Sequence, residues 1–333
     1  MHRPRRNVLG SPHGGTGQTS AMHSRTRRTR YHWPAYLYLV PALAFYVVFL
    51  IRPMVTSAWI SLFSWDGISL ADWVGLKNYR SVLADPLIWE AVRHSLTFIV
   101  FYALLPITLA LTVVGIVARI RVRGLTFFRA VLFMPYILST VVVAISWRWI
   151  YDENGPLNGI LHTIGLGSLT RAWLGSFSTA LTAVGLIGTW ITFGLAFVLF
   201  ISGIQKIPTE LYEAARVDGA GPVREFFAVT LPALRGEVRV ALVLTVIVAL
   251  RNFDIVWNTT AGGPGTSTTV PSYYVYEGAF VTHQVGRASA IAVLMTIFIL
   301  CVVALVMRLM RERPASADRR GIRAPRRRKG SAS

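Results

Sequence analysis

Six long apolar runs set the limits on what this chain can fold into. A helix rises about 1.5 Å per residue, so about 20 apolar residues cross a hydrocarbon core of about 30 Å. The runs cover 35–51 (extendable as helix to about residue 63), 95–118, 130–147, 172–205 (densest from Thr179), 240–257 and 288–307. Only the fifth carries charge inside it, at Arg251 and Asp254. Their prolines and glycines (Pro41, Pro106, Pro135, Gly185, Gly194) are of a kind that spanning helices tolerate. The chain is 53% hydrophobic and only 15% charged, against about 25% charged in soluble domains. An ordinary soluble enzyme is excluded, and the expected fold class is all-α, a polytopic membrane protein with six transmembrane helices.

The formal net charge of +19 sits mostly in the tails: residues 1–30 contribute +7 and 308–333 contribute +8. A nucleic-acid binder would carry its basic patch on a folded face. Basic tails beside an apolar body fit an anionic membrane surface instead. Counting Lys and Arg by loop orients the chain. Segments 1–30, 119–129, 204–239 and 308–333 hold 26, whereas 61–93, 151–179 and 258–287 hold 5. Both termini are therefore expected in the cytoplasm, in a bacterial plasma (inner) membrane. The expected organisation is a basic disordered tail over 1–33, a six-helix domain over 34–310, and a second basic disordered tail over 311–333. The first run reads as a retained anchor rather than a cleaved signal, because a long polar tail precedes it and Arg52-Pro53 follows. The single cysteine, Cys301, reads as a buried small apolar residue. The segment 70–93 mixes aromatics and charges at helical spacing and predicts an amphipathic helix at the outer interface, with Trp73, Tyr79 and Trp89 as belt residues.

The longest inner loop, 204–239, is more than a spacer. Pro208 and Thr209 open a helix, Glu210 sits in its first turn, Gly219 and Gly221 end it, and Pro222 opens a second helix that Leu231-Pro232 stops. Ala214 and Ala215 permit close approach, and Glu213, Arg216 and Asp218 can form ion pairs. Two readings stay open on physics alone: a helical hairpin that plugs into a partner's cleft, or an amphipathic loop that floats on lipid. Its five basic and five acidic residues cancel, which favours a protein partner.

These residues carry a resemblance. Glu213-Ala214-Ala215, three residues, Gly219, nine residues, then Val229-Thr230-Leu231-Pro232 resembles the EAA motif of ABC-importer permease subunits, with Val229 where the family has Ile. Supporting segments are VGLKNYRSVLADP (74–86), LFMPYILSTVVVAISWRWIYDENGPLN (132–158) and LRNFDIVWNTTAGGPG (250–265). Over about residues 34–310 the chain is similar to carbohydrate-uptake permeases of the maltose and glycerol-3-phosphate type. The resemblance implies a MetI-like permease fold that supplies half of a translocation pathway for a sugar or related polar solute. It implies a second permease subunit, usually forming a heterodimer, two ATP-binding subunits and an extracytoplasmic solute-binding protein. It also implies coupling to the ATPase through Glu213, Ala214, Ala215, Asp218, Gly219, Leu231 and Pro232. The sequence contains no phosphate-binding P-loop. No cofactor is expected on this chain, no catalysis, and ATP-Mg only on the partners.

Polar residues at membrane depth are costly and mark candidate pathway positions. In a helix starting near Gly236, Arg251 lies about 22 Å and Asp254 about 27 Å along, on one face. They read either as a polar lining of the pathway, with Asn252 beside them, or as a structural ion pair. Trp190, Thr192 and Phe193 could stack on and hydrogen-bond a sugar ring, or simply face lipid and neighbouring helices. Arg148 between Trp147 and Trp149 reads as an interfacial anchor. The seven His have no metal or catalytic spacing. Rival functions are a stand-alone secondary transporter, a membrane-embedded enzyme, and an ABC permease for a non-sugar solute such as glycerol phosphate.

Overall fold

The computed structural model describes residues 38–118 and 123–311. The expected tails therefore lie outside the described residues, apart from Arg311. The chain divides after Arg52 into an N-terminal unit and a body beginning at Pro53. Among the described residues the secondary structure is helical apart from one small ladder, in keeping with the expected class.

Helix α1 runs Val40–Ile60, α2 Lys77–Leu83 and α3 Pro86–Val117. Between α1 and α2, β1 (Phe63–Ser64) pairs antiparallel with β2 (Asp72–Trp73). The single amphipathic helix expected over 70–93 is thus not formed. Trp73 lies in β2, with its ring edge-on to Phe63 at 5.0 Å. The second span starts at Pro86 rather than residue 95, because Asp85 accepts the Leu87 N–H at 2.9 Å and Pro86 fills the first helical position.

Three prolines inside helices are accommodated in the same way. Pro53, Pro106 and Pro232 each follow a π-turn, at Val47–Ile51, Val100–Leu104 and Phe226–Thr230. The residue before each proline donates five residues back, to Val47, Val100 and Phe226 respectively. Proline has no N–H and its ring crowds the carbonyl four residues earlier. The wider turn supplies the room. Pro232 accordingly does not stop its helix, which continues to Ala233.

The third expected span, 130–147, is not one rod. Helix α4 (Leu125–Ile137) and α5 (Thr140–Ile150) meet at a 96° bend. Leu138 and Ser139 adopt extended backbone angles there. The halves have different partners: α4 packs on α7 (Ala180–Ile204), and α5 packs on α11 (Asp254–Thr259). Helix α6 spans Pro156–Thr163. The fifth expected span is also interrupted, since α10 (Arg235–Leu250) ends before Arg251 and α11 begins at Asp254. After α12 (Pro271–Tyr276), α13 runs Val285–Leu309. Helices α1, α3, α7 and α13 are each long and apolar enough to cross a membrane, and the bent α4/α5 pair makes a fifth candidate. The 16 residues of α10 reach about 24 Å, short of a full hydrocarbon core.

Helix α7 is the hub of the body, packed against α3, α4 and α10. Lipid is as apolar as leucine, so close backbone approach and interhelical hydrogen bonds must hold such helices together. Gly194 supplies the first: a Cβ there would stand 1.9 Å from the Leu132 carbonyl oxygen of α4. Gly188 admits the Tyr102 ring of α3, which an added Cβ would meet at 2.0 Å. Thr189 supplies the second, donating to the Phe101 carbonyl at 2.6 Å within the π-turn of α3. Cys301 is exposed on α13, not buried.

Candidate functional site

The 204–239 segment folds as a hairpin of α8 (Thr209–Val217) and a second helical stretch, α9, over 222–233. Gly219 turns the chain with φ +76°, a conformation that costs an L side chain about 1–2 kcal/mol. Gly221 does not share it: its backbone is extended, and it precedes Pro222 at the start of α9. Two side-chain bonds close the hairpin. Arg216 Nε donates to Glu225 Oε2 at 3.1 Å, and the Tyr212 and Thr230 hydroxyls meet at 3.2 Å. Glu225 is only 2% exposed. Its hydrogen bond, then its charge, raises the Arg216 guanidinium above its ordinary pKa, with a smaller push from Glu213. Lys206 pairs with Glu237 at 3.1 Å across the base.

The ion pair therefore joins Arg216 to Glu225, a residue the sequence reading did not single out, and not to Glu213 or Asp218. Glu213, Ala214, Asp218 and Gly219 are exposed and Ala215 is half-buried. Leu211, Val217, Val223 and Phe227 are exposed too, Val217 at 87%. The hairpin thus presents an apolar, charge-balanced surface. Leu231 and Pro232 sit at its base, beyond the π-turn.

At the far end of α10 a second arrangement forms. Arg251 caps α10, Asn252 and Phe253 are unwound, and Asp254 starts α11. The single helical face expected to carry Arg251 and Asp254 therefore does not exist, and the two side chains form no ion pair. Asp254 instead accepts the Thr140 hydroxyl at 3.2 Å, from the first residue after the α4/α5 bend. Two broken helices thus meet at their breaks. A cavity of about 230 Å³ lies between them, lined by Tyr102, Thr140, Ile191, Arg251, Asn252 and Asp254 among others. The Tyr102 hydroxyl and the Asn252 amide nitrogen are buried there with no well-formed hydrogen bond to the rest of the protein, and the two side chains lie within reach of each other. Unwound backbone at membrane depth is tolerated where it is buried in protein or lines a polar cavity, and broken helices are a recurrent device for solute sites.

Trp190 and Phe193 are not part of that cavity. With Trp147, Tyr151 and Trp173 they line a separate open cavity of about 740 Å³. Trp190 stands edge-on to Trp147 at 5.7 Å, and Phe193 stacks on Phe197 at 6.1 Å. Thr192 is buried and donates to the Gly188 carbonyl of its own helix, which removes it from either lining. Arg148 lines a separate polar cavity with Asp152 and Glu153. Tyr102 and Thr140 escaped the sequence reading because an uncharged run gives a tyrosine or threonine no distinguishing signal. Among the described residues no group of three or more His, Cys, Asp or Glu is placed to hold a metal ion.

Residues 111–313 match the family model described as "Binding-protein-dependent transport system inner membrane component". The chain is 38% identical to "Probable ABC transporter permease protein YurN" of Bacillus subtilis, over 83% of this chain and 95% of that protein. It is 35% identical to "Diacetylchitobiose uptake system permease protein NgcF" of Streptomyces coelicolor, over 79% of this chain and 78% of that protein. A bacterial alginate ABC transporter, solved in complex with an alginate pentasaccharide-bound periplasmic protein, contains a chain with the same fold. The TM-score is 0.70 at 20% identity, covering 84% of this chain and 94% of that one. With a family match over most of its length and relatives this similar over about four fifths of it, the chain belongs to the inner-membrane permease components of binding-protein-dependent ABC transporters, multi-pass subunits that transport rather than catalyse.

Proposed function

We propose that this permease forms half of the pathway of an importer for a sugar or sugar oligomer, with six spans and both termini in the cytoplasm. It pairs with a second permease subunit and takes two ATP-binding subunits on the α8–α9 hairpin. A solute-binding protein delivers its cargo from outside. Family membership removes the stand-alone secondary transporter and the membrane enzyme from consideration. The observation that carries the coupling role is the hairpin itself, which is internally locked through Arg216–Glu225 yet leaves Glu213, Ala214, Asp218 and Gly219 outward. ATP-Mg is bound and hydrolysed on the partners, and their closure moves α8.

The pathway role of Arg251, Asn252 and Asp254 is supported by the cavity at the two helix breaks and by the buried polar groups of Tyr102 and Asn252 that line it. Those groups offer one hydroxyl and one amide to a polyhydroxylated solute. Trp190 and Phe193 belong to the aromatic cavity on the other face of α7, where a pyranose face or a neighbouring subunit can stack. The sugar assignment is supported by the uptake systems named for the relatives. It is tested by co-expressing the chain with its genomic neighbours, isolating the complex and measuring ATP-driven uptake into proteoliposomes. Uptake of diacetylchitobiose or another oligosaccharide supports it. Uptake of glycerol phosphate with no response to any sugar overturns it in favour of the non-sugar reading.

A further inference from the structure

The hairpin makes a tight contact with the membrane body at Phe226. Phe226, the residue after Glu225, begins the π-turn of α9, and its ring lies against Gly115 near the end of α3. A Cβ at Gly115 would stand 2.8 Å from that ring. Glycine inside a helix costs about 1 kcal/mol relative to alanine. Here the space it leaves is filled by the phenylalanine, so the ring rests on the α3 backbone rather than on a side chain that could turn aside.

Defined contacts flank this point on either side. Arg216–Glu225 ties α8 to the residue preceding Phe226. On the other side, Leu105–Val117 is unbroken α-helix. Gly115 and Tyr102 are thirteen residues apart in sequence, about 20 Å along a helix axis. Tyr102 is 1% exposed, seated against Gly188, with its hydroxyl in the cavity at the helix breaks. The same helix therefore carries a knob socket near its C-terminal end and a cavity wall near its middle, within its π-turn.

We propose that Phe226 is a positioning residue for transport, and that its seat on Gly115 transmits displacement of α8 through α3 to the cavity wall at Tyr102. The inference rests on the coupling role assigned above to the hairpin. Spatial intermediacy alone does not establish transmission, so the test must measure coupling between the two ends. A purely structural contact would affect folding or partner docking but leave the cavity's response to nucleotide intact.

The experiment uses the complex with its ATP-binding subunits in lipid nanodiscs. Cys301→Ser removes the native thiol and Ile191→Cys places a reporter in the cavity wall. Labelling by a membrane-impermeant methanethiosulfonate is timed without nucleotide and with ATP plus vanadate. In this parent the two rates differ by about 10-fold, within the usual range of allosteric coupling. Phe226→Ala and Gly115→Ala each reduce the difference to below about 2-fold, with the ATP-binding subunits still bound, and Phe226→Leu gives an intermediate value. Combining Gly115→Ala with Phe226→Leu restores part of the response, because the smaller side chain makes room for the new methyl; the two effects are non-additive. The proposal is overturned if either single variant keeps the parent's difference, if the effects simply add, or if the variants shed the ATP-binding subunits. A parent that binds no ATP-binding subunits, or whose labelling ignores nucleotide, overturns the coupling role itself and the inference with it.

Discussion

Arg216 reaches across the turn of the hairpin to Glu225, 3.1 Å away, and Glu225 is buried while Arg216 remains half in solvent. Removing the arginine takes a charged partner from a buried carboxylate, which is more disruptive than replacing both members of the pair by neutral groups. Arg216→Ala is expected to lower co-purification of the ATP-binding subunits by about 10-fold, and the double variant with Glu225→Gln to recover part of it. Equal losses in the single and double variants would show that the pair does not hold the docking surface.

Gly219 sets the turn. Its φ of +76° is closed to proline, whose φ is fixed near −65°, and its N–H donates to the Arg216 carbonyl at 3.0 Å. Gly219→Pro should abolish ATP-driven uptake while membrane insertion stays normal, and Glu213→Lys should do the same by placing a cation on the exposed docking face. Immunoblots of membranes alongside uptake assays test both. Normal uptake by either variant refutes the hairpin's role.

Asp254 and Thr140 bridge the two helix breaks at 3.2 Å. Asp254→Asn and Asn252→Ala are expected to raise the solute concentration for half-maximal uptake by about 10-fold, the loss of one or two hydrogen bonds to a charged or polar group. Stimulation of ATP hydrolysis by the solute-binding protein should persist in both. Unchanged uptake kinetics would exclude the cavity from the pathway.

Gly194 faces the Leu132 carbonyl, where a methyl would stand at 1.9 Å. Backbone cannot swing aside as a side chain can, so Gly194→Ala must push α7 off α4, at about 1–3 kcal/mol. A lower midpoint of thermal aggregation in detergent is the expected reading, whereas Gly159→Ala, inside α6 with nothing within 4 Å of the new methyl, should leave it unchanged or slightly raised.

Asp66 organises the loop between β1 and β2 by accepting the Ile68 and Ser69 N–H groups at 2.8 and 2.7 Å. These bonds, the Ile68 one first, hold its carboxyl below the ordinary value of 3.8. A depressed carboxylate stabilises the folded loop above its unfolded pKa and loses that contribution as pH falls through the folded one. Amide exchange at Ile68 and Ser69, corrected for intrinsic rate, should be protected at neutral pH and lose protection on strong acidification. Asp66→Ala should remove the protection at every pH.

The sequence by itself determined the elements that depend on neighbours in the chain. The apolar runs locate spanning segments because lipid leaves the backbone no partner but itself. Pro208, Gly219 and Pro222 punctuate the hairpin because each restricts or frees its own φ, and the motif from Glu213 to Pro232 was legible through its resemblance to a family pattern. Tertiary structure decided where the spans break. Within uniformly apolar stretches such as 130–147, periodicity carries no information about a bend at Leu138–Ser139. That bend exists because α4 is held by Gly194 of α7 while α5 is held by α11. Arg251 and Asp254 look like an i, i+3 pair until the chain unwinds at Asn252 and Thr140 takes Asp254 instead. Glu225, Tyr102 and Phe226 acquired their roles only when distant residues met them, since burial and partnership are properties of the packed helices and not of the local sequence.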